Sequence, residues 1–272
     1  MKTLRSFSKY LVGFGLTAAM LIGVTSANSA PAVGYAAVTT VQGDAQYMYP
    51  GQDWKALTPG TMLTSGAVIK TGGGAFVYMA VNQKTSAVRV NENSVLALEK
   101  MQQLGTAEKD TDTTLDIRSG TVAGDVKKLA KASHFDIRTP NGVAGIRGTS
   151  WSITVTVSSG NDQLYQISVS CINGQIVYAY RGTDAASAPV TVVVNEQQQI
   201  VIKSGDQQVV TPATLTSLQS QPLIAQISDL SVKVEASPIN PEPSPTPTPT
   251  PAPPTPAPAP APPEQNTSPV VP

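Results

Sequence analysis

The chain of 272 residues has a single cysteine, Cys171, and a single histidine, His134. A lone cysteine makes no internal disulfide, so stability must come from burial. In "QISVSCING" it shares one face with Ile167 and Val169. That pattern reads as a small buried hydrophobe rather than a reactive thiol. One His and one Cys far apart supply no clustered metal site. His134 lies in a strand-like "SHFDIR" and reads as a half-exposed strand residue rather than a base. Clustered basic charge is missing too. Removing residues 1–29 takes three cations from 18 and no anions, which leaves 15 basic against 18 acidic residues. Without a Lys/Arg stripe to displace counterions, a nucleic-acid partner is excluded. Helix is scarce as well: "GDVKKLAKAS" (124–133) is the one plausible stretch in the central region, and it reads equally as a loop.

What is present divides the chain into four parts. Lys2, Arg5 and Lys9 precede the 14-residue apolar run Leu11–Val24, and "TSANSAP" follows it. A basic start, a short apolar core and a small-residue exit describe a signal peptide over residues 1–29, cleaved after Ser29. The run is shorter than the roughly 20 residues of a spanning helix. An uncleaved N-terminal anchor is the alternative, and it would be the chain's one membrane contact. Residues 35–212 are rich in Val, Ile, Thr and Gly. Residues 213–237 form an ambiguous linker with some helical spacing (Leu215, Leu218, Leu223, Ile227, Leu230) and a break at Pro222. Residues 238–272 hold 16 of the 23 prolines. They have almost nothing apolar to bury, which makes them a disordered tail in extended polyproline II form, reaching roughly 100 Å.

The central region has period two. "GAFVYMAV" sets Phe76, Tyr78 and Ala80 against Val77, Met79 and Val81, a strand suited to burial on both sides. "WSITVTVS" alternates Trp151, Ile153, Val155 and Val157 with Ser and Thr, as a half-buried strand does. Asn173-Gly174 between two such runs signals a hairpin. Many short strands separated by turns predict a single all-β domain, a sandwich or solenoid.

Residues 139–151, "TPNGVAGIRGTSW", place Gly142, Gly145 and Gly148 at three-residue spacing. A phosphate loop needs a helix after its glycines, and the strand-like "TSWSITVTVS" stands there instead. Ser150 in "GTSWS" does not make a nucleophile elbow. Asp112, Asp116, Asp125 and Asp136 form no pair that sequence can define, so they carry no assigned role. The remaining reading is geometric. The glycines permit positive φ or close backbone approach, so Gly145→Val and Gly148→Val should destabilise more than Arg147→Ala. Arg147 either pairs with an acid to lock a turn or presents donors to a partner. The structural role is favoured, since ordered arginines near tight turns usually have a local partner.

This run, extended to "SHFDIRTPNGVAGIRGTSWSITV", resembles the hallmark of FecR-type domains, the periplasmic part of ferric-citrate regulators. Thr139, Pro140, Gly145, Arg147, Gly148, Thr149 and Trp151 carry the resemblance. Trp54, Leu57, Gly60, Leu63, Gly66, Ile69, Thr71 and Gly72 stand in the order of the family's opening. "VRVNENSVLALEKM" around Asn93 and Ser94 and "LDIRSGTVAGDVKKL" around Gly120 are similar to later strands, so the likeness spans about residues 38–205. Iron-transport regulators of this family place a cytoplasmic sigma-factor-binding domain and a membrane helix before the FecR domain. About ten residues precede the apolar run here, so the resemblance implies a free-standing exported form without the anti-sigma part.

These readings together predict an exported, non-enzymatic module without cofactor or metal. It would recognise a protein or glycan partner at the cell envelope, in envelope signalling. The alternative is a structural or wall-associated protein spaced by its proline-rich tail. The motif residues Thr139, Pro140, Gly142, Gly145, Arg147, Gly148, Thr149 and Trp151 are expected to form a structural turn that also offers a partner contact.

Overall fold

The structure, a computed structural model, describes residues 32–82, 86–104, 110–158, 161–181, 188–204, 210–216, 219 and 221–226. The expected signal peptide and proline-rich tail lie outside the described residues. Among the described residues eighteen strands follow one another: β1 (Ala32–Val33), β2 (Ala36–Gln42), β3 (Ala45–Met48), β4 (Lys55–Ala56), β5 (Met62–Leu63), β6 (Val68–Thr71), β7 (Phe76–Val81), β8 (Ser86–Val90) and β9 (Val95–Gln103). Then come β10 (Thr111–Val126), β11 (His134–Thr139), β12 (Gly142–Ile146), β13 (Thr149–Ser158), β14 (Asn161–Asn173), β15 (Gln175–Tyr180), β16 (Val190–Asn195), β17 (Gln198–Lys203) and β18 (Ala213–Thr214). Among the described residues helix is confined to 219 and 221–226. Residues 124–126 continue β10 and 127–133 are loop and turn, so the stretch at 124–133 is not helical.

The pairings make two layers. Sheet one runs β4–β3–β6–β9–β10–β11–β12–β15–β16, with β1 against the end of β9. Sheet two runs β5–β2–β7–β8–β10–β13–β14–β17–β18. β10 belongs to both: residues 111–119 pair in sheet one and 120–126 in sheet two. The crossing point is Gly120, at φ 85°, where an added Cβ would collide with Ser94. Ser94 is fully buried, and its Oγ accepts the Thr121 N–H at 2.9 Å. Because β10 leaves for the other layer, β11 can return beside its first half in parallel without a long crossover.

Alternating side chains of both sheets meet in one core. Val77, Met79, Val88, Ile153 and Val169 from sheet two pack with Leu96, Leu98, Ile137, Ile176 and Tyr178 from sheet one. Tyr78 and Ala80 form a second buried cluster with Ala87, so β7 is buried on both sides as its sequence suggests. Cys171 is fully buried in the main core, and burial, followed by the nearby Glu196, pushes its thiol up to about 12.

One sequence expectation is corrected. Asn173-Gly174 does not close a hairpin, because β14 pairs in sheet two and β15 in sheet one. Gly174, at φ 87°, is instead a corner where the chain changes layers. Arg147-Gly148 and Glu196-Gln197 are corners of the same kind, with Gly148 at φ 64° and Gln197 at φ 57°. Hydrogen bonds tie the three together: Thr149 Oγ1 donates to the Gln175 carbonyl at 3.0 Å, and Gln197 Nε2 to the Ile172 carbonyl at 2.7 Å.

Candidate functional site

The thirteen-residue motif is not one turn but a hairpin, a strand and a corner. Thr139 pairs with Gly142, and Pro140-Asn141 is the two-residue connection between β11 and β12. The Tyr178 hydroxyl, from β15, lies 2.6 Å from Thr139 Oγ1 and donates to Asn141 Oδ1 at 2.9 Å. Burial raises the Tyr178 phenol well above its ordinary range, so it stays protonated and keeps donating. Gly142 makes room for this arrangement: a Cβ there would lie 2.6 Å from the Ala179 carbonyl oxygen and 2.8 Å from the Tyr178 ring. Beyond β12, Gly148 supplies the positive φ of the corner, and Thr149 is buried beneath it. Trp151 is wholly buried, and Gly124 opposite it leaves the space its indole occupies.

Two motif residues are not used by the fold in this way. Gly145 has an ordinary strand conformation, and the nearest atoms to an added Cβ, Asp136 Oδ1 and the Val177 carbonyl oxygen, are 3.8 Å away. The expectation that Gly145 is demanded by crowding is therefore corrected: an added Cβ would make only ordinary van der Waals contacts there. Arg147 is exposed and makes no hydrogen bond or ion pair with any described residue, so the expected local acid partner is not there.

The motif strands open onto the outer face of sheet one, and this surface is the candidate site. Its β9–β11 side carries charge in pairs: Arg138 with Glu99 at 3.0 Å, Arg118 with Asp116 at 3.1 Å, and Lys100 with Asp112. His134, expected to be half-exposed, is an exposed strand residue at the start of β11. The β15–β16 side sets Val177, 43% exposed, and Val193, 42% exposed, between the hydrogen-bonded Gln175–Asn195 pair and the Ala179–Thr191 pair. At one end, a groove of about 540 Å³ beside the hairpin is lined by Glu99, Arg138, Pro140, Asn141, Arg181 and Pro189. Sequence reasoning singled out the hairpin but missed Asp136, Val177 and Val193. The signal was the outward phase of β11, β15 and β16, which becomes informative only once the strand order is known. Asp125, the remaining carboxylate of the sequence survey, accepts a hydrogen bond from Ser150 at 2.6 Å on sheet two and takes no part here.

Comparison with known proteins places the motif in a family. The FecR protein family model matches residues 67–177. No curated protein matches the chain. Two solved structures of a candidate anti-sigma factor from Parabacteroides distasonis ATCC 8503 are similar at 13% identity. One has a TM-score of 0.42 and covers 58% of this chain and 63% of its own. The other has a TM-score of 0.41 and covers 55% and 60%. The chain thus spans less than two thirds of those structures' length. No helix among the described residues is long and apolar enough to cross a membrane. From β6 into β15, through the glycine corners and the motif hairpin, residues 67–177 match the FecR protein family model.

Proposed function

We propose that the chain is an exported, non-enzymatic FecR-type module that recognises a protein partner at the cell envelope, in signalling. The observation that carries this reading is the outer face of sheet one, where exposed Val177 and Val193 adjoin a field of paired charges. Apolar residues flanked by polar ones on a flat sheet suit a protein surface. Among the described residues β16 has a ladder partner on one side only, β15, which leaves an edge for strand addition. The basic, apolar and small-residue pattern of residues 1–29 supports export. The FecR match supports a regulatory role, since FecR-type proteins are regulators rather than enzymes. The test is cross-linking in the native cells with wild type and the double variant Val177→Ser, Val193→Ser. One envelope protein should be recovered with wild type and lost with the variant at equal expression. Equal recovery with both would contradict the reading.

A further inference from the structure

The outer face of sheet one is built in cross-strand rows, and one of them runs through the motif. Successive pairs give Lys100, Thr114, Asp136, Gly145, Val177 and Val193. The row is polar as far as Asp136 and apolar from Val177, with the glycine at the seam. Two neighbours in this row work against the fold with no return from the described residues. Gly145 occupies mid-strand, where an added Cβ meets no crowding and a branched side chain is intrinsically preferred. Asp136 is half-buried and accepts no hydrogen bond from any described residue. The carboxylates around it are each held by a cation: Asp112 by Lys100, Asp116 by Arg118, Glu99 by Arg138. Burial holds the Asp136 carboxyl above its ordinary range, and Asp112 adds to this while His134 and Lys100 oppose it. An uncompensated acid beside an unneeded gap is explained by something that arrives from outside.

We infer that the seam between Asp136 and Gly145 receives a lysine or arginine side chain from the protein partner. The cation sits on Asp136, and the aliphatic stem lies over Gly145 toward Val177. Charge complementarity selects the head group, since the neighbouring acids are already paired. The bare backbone at Gly145 lets a long stem lie against the sheet, and the valine gives it apolar contact. This inference rests on the protein-recognition reading above and specifies the residue type at its centre.

Short random peptides displayed on phage and selected on the full chain test it. The selected peptides should carry Lys or Arg next to apolar residues. Their affinity should fall about tenfold or more in Asp136→Asn and in Gly145→Val, the loss expected when one partner of a close charge pair is truncated or blocked. Gly145→Val should melt no lower than wild type, which separates blocked binding from unfolding. Val193→Asp should also abolish binding. Peptides lost in Val193→Asp but lacking a basic residue, or indifferent to Asp136→Asn and Gly145→Val, would overturn the inference and leave the recognition face standing. Peptides unaffected by Val193→Asp, or no selected peptides at all, would count against both.

Discussion

A Cβ at Gly142 would press on the Ala179 carbonyl and the Tyr178 ring, while one at Gly145 meets nothing closer than 3.8 Å. Gly142→Val is therefore expected to cost about 3 kcal/mol or to prevent folding. Gly145→Val should change stability by no more than about 1 kcal/mol, in the stabilising direction. Gly148→Ala, at positive φ, should cost about 1–2 kcal/mol, and Arg147→Ala, on an exposed unpaired residue, within about 0.5 kcal/mol. Urea denaturation ranks the four. The even spacing of these glycines shows in the sequence, but their roles do not. Crowding at Gly142 depends on β15, over thirty residues later, and openness at Gly145 depends on which face of sheet one is outside. Asp136 makes a second prediction at this scale. Its folded pKa is raised, so the native state holds the proton more tightly than the unfolded chain, and stability falls as pH rises through the folded value. Asp136→Asn should accordingly melt higher than wild type at neutral pH. The gap should close as pH falls below the ordinary carboxylate range, and thermal melts across pH check it.

At the scale of elements, strands such as β7 and β13 could be read from their period-two pattern, β13 turning Trp151, Ile153 and Val155 into the core and β7 burying apolar residues on both faces. Their destinations could not. Asn173-Gly174 carries the same local chemistry whether it closes a hairpin or turns a corner, since both use a glycine at positive φ. What decides is that Ile176 and Tyr178 enter the core from the opposite layer. Gly120 is similar: nothing local shows that β10 changes sheets there, yet the fold hinges on the contact with Ser94. The corners are packed on one another, with the Gly148 carbonyl oxygen 2.6 Å from a Cβ placed at Gly174. Gly174→Ala combines that clash with an unfavourable φ and should cost about 2 kcal/mol or more, with the denaturant slope unchanged. A loss within about 0.5 kcal/mol would show that the corner relaxes freely.

At the scale of the molecule, the main apolar core of the described residues joins strands from β2 to β17. Val192, Val194, Ile200 and Ile202 lie in it although they fall beyond the residues that match the family model. A fragment ending at residue 181 should therefore lose its cooperative thermal transition, as calorimetry would show. The same unity gives the surface its meaning. Sheet one and sheet two share one interior but present different exteriors, and among the described residues only sheet one sets exposed valines beside an unpaired acid and an uncrowded glycine. A photo-reactive residue placed in turn at Val177, at Val193 and at Val201 on sheet two compares these exteriors in living cells. One envelope-protein adduct is expected at positions 177 and 193, absent at 201 and lost when Gly145→Val is added. An adduct at 201 alone, or one that persists unchanged with Gly145→Val, would contradict it.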